Sequence, residues 1–153
     1  QGAIFETADD RSLLRAHLLL NEFNLSNAAM VGSGYEYVRL DEIKAMQRQL
    51  ILPLNFPAAP AVEQVADQLD VSLADLRHWE RAPSNAAMLD QAGVAFALTT
   101  FKLKDKKDFW PNLRKAVKHG LSADTALAAL TTVPAGIAGV AVGPVSSQGG
   151  LPG

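Results

Sequence analysis

The sequence predicts an α/β fold in which a parallel sheet is covered by helices. Two observations predict it. Four short segments, 3–7 (AIFET), 28–32 (AAMVG), 50–54 (LILPL) and 94–100 (VAFALTT), are apolar on both faces. Stretches of helical periodicity separate them, giving the order βαβαβαβα plus one helix. Strands that are apolar on both faces and alternate with helices belong to parallel sheets.

The elements follow in order. Asp9 and Asp10 close the first strand as N-caps with favourable charge for a helix start. Leu13, Leu14, His17 and Leu18 recur at helical spacing, and this helix fades near Asn21–Asn24. After the second strand, Asp41 and Glu42 open a short helix carrying Leu40 and Ile43. Pro53 is tolerable only near the end of the third strand. Residues 55–61 are a proline-containing loop, and Val62, Val65, Ala66 and Leu69 fit a helix. Ser72, with Asp75 three residues on, resembles a capping box and starts another at Leu73. Ser84 is the expected cap of a helix over 85–92, which Gly93 ends. Asp108 is the expected cap of the helix after the fourth strand. Its predicted buried face is Phe109, Leu113, Ala116 and Val117, and Pro111 is acceptable in the first turn. Ser122 starts a final small-residue helix through Leu130.

Two architectures fit this order. One is half of a (β/α)₈ TIM-type barrel, that is, four of its eight βα units. The other is a small open doubly wound sheet. Periodicity does not separate them. After Gly136 the composition turns to Gly, Pro and Ser without charge, so residues 1–136 are expected to form the domain and 137–153 a tail.

Composition removes several function classes. The chain has 153 residues and a net charge of -2, so no overall positive field draws it to nucleic acid or membrane. It has no cysteine, which excludes disulfides and thiolate metal sites. No apolar run approaches the roughly 18 residues of a membrane span. Half of the 14 basic residues, from Lys102 to Lys118, crowd the last strand end and its helix. Asp105 and Asp108 interrupt them and no stacking aromatics alternate with them, so a solvated face is expected.

Motifs are sparse. Gly32-Ser33-Gly34 ends the second strand, but the third position of a dinucleotide fingerprint is Tyr37 rather than Gly. A nucleophile elbow needs glycines two residues either side of its Ser, and Val31 and Tyr35 stand there. A tight turn is the expected role. His17, His78 and His119 are scattered without metal-ligand spacing and are read as structural. In either architecture a ligand site lies beyond the carboxyl ends of the strands. Those ends carry Glu6 and Thr7, then Ser33, Tyr35 and Glu36, then Asn55, then Thr99, Thr100 and Lys102. The expected ligand-binding rim is Glu6, Thr7, Ser33, Tyr35, Asn55, Thr99 and Thr100.

One segment carries a family resemblance. In 120-GLSADTALAALTTVPAGIAG-139, the residues Gly120, Leu121, Ala126-Leu127, Ala129-Leu130-Thr131, Pro134-Ala135 and Gly139 form a recognisable pattern. It resembles the helix after the eighth barrel strand in the metal-dependent amidohydrolase superfamily, imidazolonepropionase-like branch. Segments 92-AGVAFALTT-100, 50-LILPLNFP-57, 28-AAMVGSG-34 and 3-AIFET-7 then resemble strands eight, seven, six and five. The stretch 76-LRHWERAPSNAAML-89 resembles the run before the last strand in bacterial amidohydrolases.

The resemblance implies the C-terminal half of a barrel. It also implies hydrolysis of carbon–nitrogen bonds with zinc or another divalent metal. In the family, strands five and six each end in a metal-binding His and strand eight in an Asp. The corresponding ends here offer Glu6 and Thr7, Gly32 and Ser33, and Thr99 and Thr100. A metal that activates water needs about three protein ligands and an open position. The expectation is therefore no cofactor and no catalytic residue in this fragment, and a structural or ligand-binding role. The alternatives are half of an active enzyme whose ligands lie upstream, or a small α/β binding module. Gln1 is followed at once by strand-like residues, which predicts a piece of a longer protein. Its expected partners are the remainder of that protein or a second copy, joined through exposed half-barrel edges, with no nucleic acid and no membrane. The compartment stays open between bacterial cytoplasm and periplasm.

Overall fold

The computed structural model describes residues 3–60 and 71–140. The strands are β1 (Ile4–Glu6), β2 (Ala29–Val31), β3 (Leu50–Pro53) and β4 (Phe96–Thr99). The described helices are α1 (Asp10–Glu22), α2 (Leu40–Met46), α3 (Leu73–Arg81), α4 (Asn85–Gln91), α5 (Phe109–Lys118), α6 (Ala123–Leu130) and α7 (Thr132–Ala138). Single 3₁₀ turns, Glu36–Arg39, Ala82–Ser84 and Lys106–Asp108, lead into α2, α4 and α5. The helix expected around Val62–Leu69 lies outside the described residues.

The sheet decides between the two architectures. All four strands are parallel and their order is β1-β2-β3-β4. Right-handed crossovers that always step the same way leave the connecting helices on one face. A doubly wound sheet reverses its direction and covers both faces. There is no reversal here, so the doubly wound alternative is corrected. The order is that of consecutive βα units in a barrel.

Register shows where the core sits. Met30 pairs with Leu50 and Leu50 with Phe96, so these three point to the same face. They are buried against Leu13 and Leu20 of α1, Ile43 and Met46 of α2, and Leu89 of α4. Burying a side chain of this size contributes roughly 1.5–3 kcal/mol. The opposite, inner face carries Ile4, Ala29, Val31, Ile51, Ala97 and Thr99.

Half of a barrel on its own would leave that inner face bare, and α7 covers it in part. Pro134, Ile137 and Ala138 of α7 share with Ile4, Ala29, Ile51 and Ala97 a cavity of about 460 Å³. Ala97 is 3 % exposed and Ile4 is 65 % exposed, so cover is close at β4 and lacking at β1. Phe5 of β1 and Leu18, Leu19 and Phe23 on or just after α1 are exposed as well. Helix α7 also runs through Gly136, where the composition shifts, and ends at Gly139 with φ +70°. Of the predicted tail, residues 141–153 lie outside the described residues.

Most predicted caps are present. Asp9 accepts from the Ser12 amide at 2.6 Å, Ser72 from Asp75 at 3.1 Å and Ser122 from Thr125 at 3.1 Å. Ser84 and Asp108 do not cap. Each closes a 3₁₀ turn with near-helical backbone angles, whereas a capping side chain needs an extended residue. Asp105, one turn earlier and extended, accepts from the Lys107 amide at 2.9 Å instead. Val117 is 39 % exposed, because it falls at the edge of the stripe defined by Phe109, Leu113 and Ala116.

Candidate functional site

The strand-end rim begins at the turn after β2. Gly32, Ser33 and Gly34 are buried; the Gly32 amide still donates to the Ile51 carbonyl at 2.8 Å in the sheet, and the Ser33 and Gly34 amides turn inward. They hold an anion that belongs to the chain itself. The Ser33 amide donates to Glu36 Oε1 at 2.5 Å, and the Gly34 amide donates to both carboxylate oxygens at 3.1 Å. Ser33 Oγ approaches Oε1 at 3.3 Å, and Asn85 Nδ2 donates to Oε2 at 2.7 Å. Glu36 is 1 % exposed, so its carboxylate is enclosed and fully engaged.

Both glycines are required sterically. A Cβ on Gly32 would stand 2.4 Å from Glu36 Oε1. Gly34 has φ +96°, and a Cβ there would meet Asn55 Oδ1 at 2.7 Å. Successive amides of such a turn form an anion-binding nest. Here a carboxylate two residues further along fills it.

The turn is braced from α3 and α4. Asn85 Oδ1 accepts from the Tyr37 amide at 2.8 Å, so one side chain ties both Glu36 and the following turn to α4. Tyr35 stacks on His78, with ring centroids 3.7 Å apart and planes at 10°. Tyr37 Oη lies 3.1 Å from His78 Nδ1. Burial pushes the His78 pKa down, outweighing the pull of Asp75 and Glu36 in the other direction. Burial likewise pushes the Tyr37 phenol up. His78 is thus a packed partner of two tyrosines, in keeping with its structural reading.

A second cation-and-carbonyl cluster lies across the sheet. Lys102, just after β4, has φ +65°, a strained setting for a non-glycine residue. Its ammonium donates to the Thr7 carbonyl and, at 3.3 Å, to the Gly32 carbonyl. It therefore bridges the ends of β1 and β2 from the far side of β3. Thr7 is 2 % exposed, and its hydroxyl donates to the Val31 carbonyl at 2.6 Å.

The predicted rim residues divide accordingly. Thr7 and Ser33 are buried and bonded to backbone or to Glu36. Asn55 reaches the rim, donating to the Ser33 carbonyl at 3.2 Å. Tyr35 is 38 % exposed on its His78 stack. Thr99 Oγ1 accepts from the Phe101 amide at 3.1 Å, which shapes the β4 turn. Glu6 and Thr100 are exposed and join neither cluster. The residues that organise the rim, Glu36, Asn85 and Lys102, are absent from the predicted binding set. A Glu two residues after G-x-G was a legible signal, whereas Asn85, 49 residues away, had none.

A divalent metal, which the sequence resemblance implies, does not fit these strand ends. The hydroxyls at these ends, Thr7, Ser33 and Thr99, are already engaged with backbone groups or with Glu36, and the exposed carboxylate of Glu6 is one ligand where about three are needed. The carbonyls that face the space between β1 and β2 accept from an ammonium. An ammonium so placed repels a second cation and occupies its oxygen donors. Among the described residues, no three His, Cys, Asp or Glu side chains gather as a metal set.

Comparison with known proteins gives a likeness of fold. No protein-family model matches the chain, and no curated protein matches it. The chain is similar to the crystal structure of an amidohydrolase from Thermotoga maritima MSB8, with a TM-score of 0.63 and 17 % sequence identity. The match covers 91 % of this chain and 33 % of that protein, so the chain spans about a third of its length. At this identity the likeness concerns the fold, a run of βα units within an amidohydrolase barrel. Among the described residues, no helix is long and apolar enough to cross a membrane.

Proposed function

We propose that this chain is an amidohydrolase-type half-barrel that serves as a scaffold or binds a ligand at its strand-end rim, without a metal centre of its own. The fold likeness and the sequence resemblance support the lineage. The observation that carries the non-hydrolytic reading is Lys102. Its ammonium lies between the ends of β1 and β2, where the resemblance places two metal ligands. Hydrolysis through a metal needs an acidified water, and a hydrogen-bonded ammonium supplies neither coordination nor that acidity.

Elemental analysis after zinc loading and desalting tests this reading. Metal far below one ion per chain is expected. Near-stoichiometric zinc that disappears in Thr7→Ala or Ser33→Ala would refute it.

The exposed β1 edge suggests where the scaffold meets its partner. An edge strand unpaired among the described residues, with Ile4 and Phe5 exposed on it and Leu18, Leu19 and Phe23 exposed on or just after the helix that follows, is a joint for further βα units, from a longer chain or a second copy. Light scattering at micromolar concentration should show self-association of the isolated chain, and Leu18→Glu with Phe23→Glu should reduce it. A strictly monomeric parent chain would count against the joint.

A further inference from the structure

We infer that the cleft between the ends of β3 and β4 binds the oxyanion group, phosphate or carboxylate, of a small organic ligand. The inference deepens the binding reading above and rests on it. The cleft has a volume of about 390 Å³ and is lined by Asn55, Phe56, Lys102, Lys104, Asp108 and Asn112. That lies within the usual range for small-molecule sites, roughly 300–1,000 Å³.

Charge and fixed geometry point to an anion. The sequence assigns the lysines after β4 to a solvated face, but the structure separates Lys102 and Lys104 from the rest as walls of a cleft. Among the described residues, the ion pairs both belong to Arg39, with Asp10 and Glu42, so Asp108 pairs with neither lysine. An ammonium has three donors, and Lys102 places two on the Thr7 and Gly32 carbonyls. Lys102 lines the cleft, and its ammonium, fixed by these two carbonyls, adds a positive charge beside it. Asn112 Nδ2 donates to the Leu54 carbonyl at 2.7 Å, which fixes its amide at the wall. Lys115 Nζ lies 5.7 Å from the Phe56 ring centroid, so the flat apolar wall is backed by a further positive charge.

Titration of the whole chain with inorganic phosphate, and separately with acetate, tests the inference by amide chemical shifts at low and constant ionic strength. Saturable shifts are expected at Phe56, Lys102, Lys104 and Asn112 for at least one probe, and the stronger probe identifies the group. Lys104→Gln should weaken binding roughly tenfold, as loss of one charge-assisted hydrogen bond does, with an unchanged thermal melt because Lys104 is exposed. Lys102→Gln also removes a structural bond, so Lys104→Gln carries the comparison. Absence of saturable shifts with both probes, or binding unaffected by Lys104→Gln, overturns the inference. If the chain also holds no zinc, that result leaves the metal-free reading intact, whereas stoichiometric zinc overturns the reading beneath it.

Discussion

Replacing Glu36 by Gln changes one oxygen into an NH₂ group and almost nothing else. In the native rim, Oε1 faces the Ser33 and Gly34 amides while Oε2 accepts from Asn85 Nδ2 at 2.7 Å. A glutamine must keep its oxygen towards the amides, so its NH₂ meets the NH₂ of Asn85. Asn85 cannot flip to relieve this, because its oxygen already accepts from the Tyr37 amide at 2.8 Å. The two NH₂ groups are left facing each other without an acceptor between them, at about 1–3 kcal/mol or more, and the remaining bonds lose their ionic partner. The sum is roughly 2–4 kcal/mol. For a chain of 153 residues that corresponds to a fall in Tm of about 5–15 °C.

Urea unfolding followed by far-UV circular dichroism measures it. The partner variant sharpens the test. Asn85→Asp alone sets two carboxylates against each other. Together with Glu36→Gln it restores a donor–acceptor pair, because the new carboxylate accepts from both Gln Nε2 and the Tyr37 amide. The double variant should recover at least about 1 kcal/mol relative to the sum of the singles. Glu36→Gln within about 0.5 kcal/mol of the parent chain, or strict additivity in the cycle, would show that the turn does not depend on this carboxylate.

Two further outcomes follow from the same geometry and its surroundings. Gly32→Ala forces a Cβ to within 2.4 Å of an oxygen that several hydrogen bonds hold in place, so it should destabilise the chain by about 1–3 kcal/mol, read from the same urea curves. Acidification should weaken the fold: His17, held down by burial and by Arg48, and His78, held down by burial, both have folded-state pKa values below their unfolded ones. The unfolded chain then binds protons first, so stability is full above about pH 6.5 and declines as pH falls below it. Thermal melts between pH 7.5 and 5 should show this decline, and His17→Gln with His78→Phe should flatten it.

Much of the fold was legible because its determinants are local. Short apolar segments, capping side chains such as Asp9, Ser72 and Ser122, and helical spacing are properties of neighbouring residues. They specify strands and helices within a few positions of where these stand. The missed caps at Ser84 and Asp108 show the limit of that logic. Both have the right side chain, but a preceding 3₁₀ turn removes the extended backbone a cap requires.

The site was less legible. The strand-end rim was expected from topology, and Thr7, Ser33 and Asn55 do lie there. Their roles were not apparent, because a hydroxyl that binds a ligand and one that closes a backbone hydrogen bond look the same in sequence. By itself the sequence determined a four-stranded parallel α/β chain, a tight glycine turn after β2, and the lack of His and Asp at three strand ends. Only the tertiary structure decided the strand order, the cover that α7 gives the inner face, and the contents of the turn. Glu36 meets Asn85 across 49 residues, and Lys102 meets Thr7 across 95. Such pairings depend on how the sheet brings its ends together, and no local pattern encodes them.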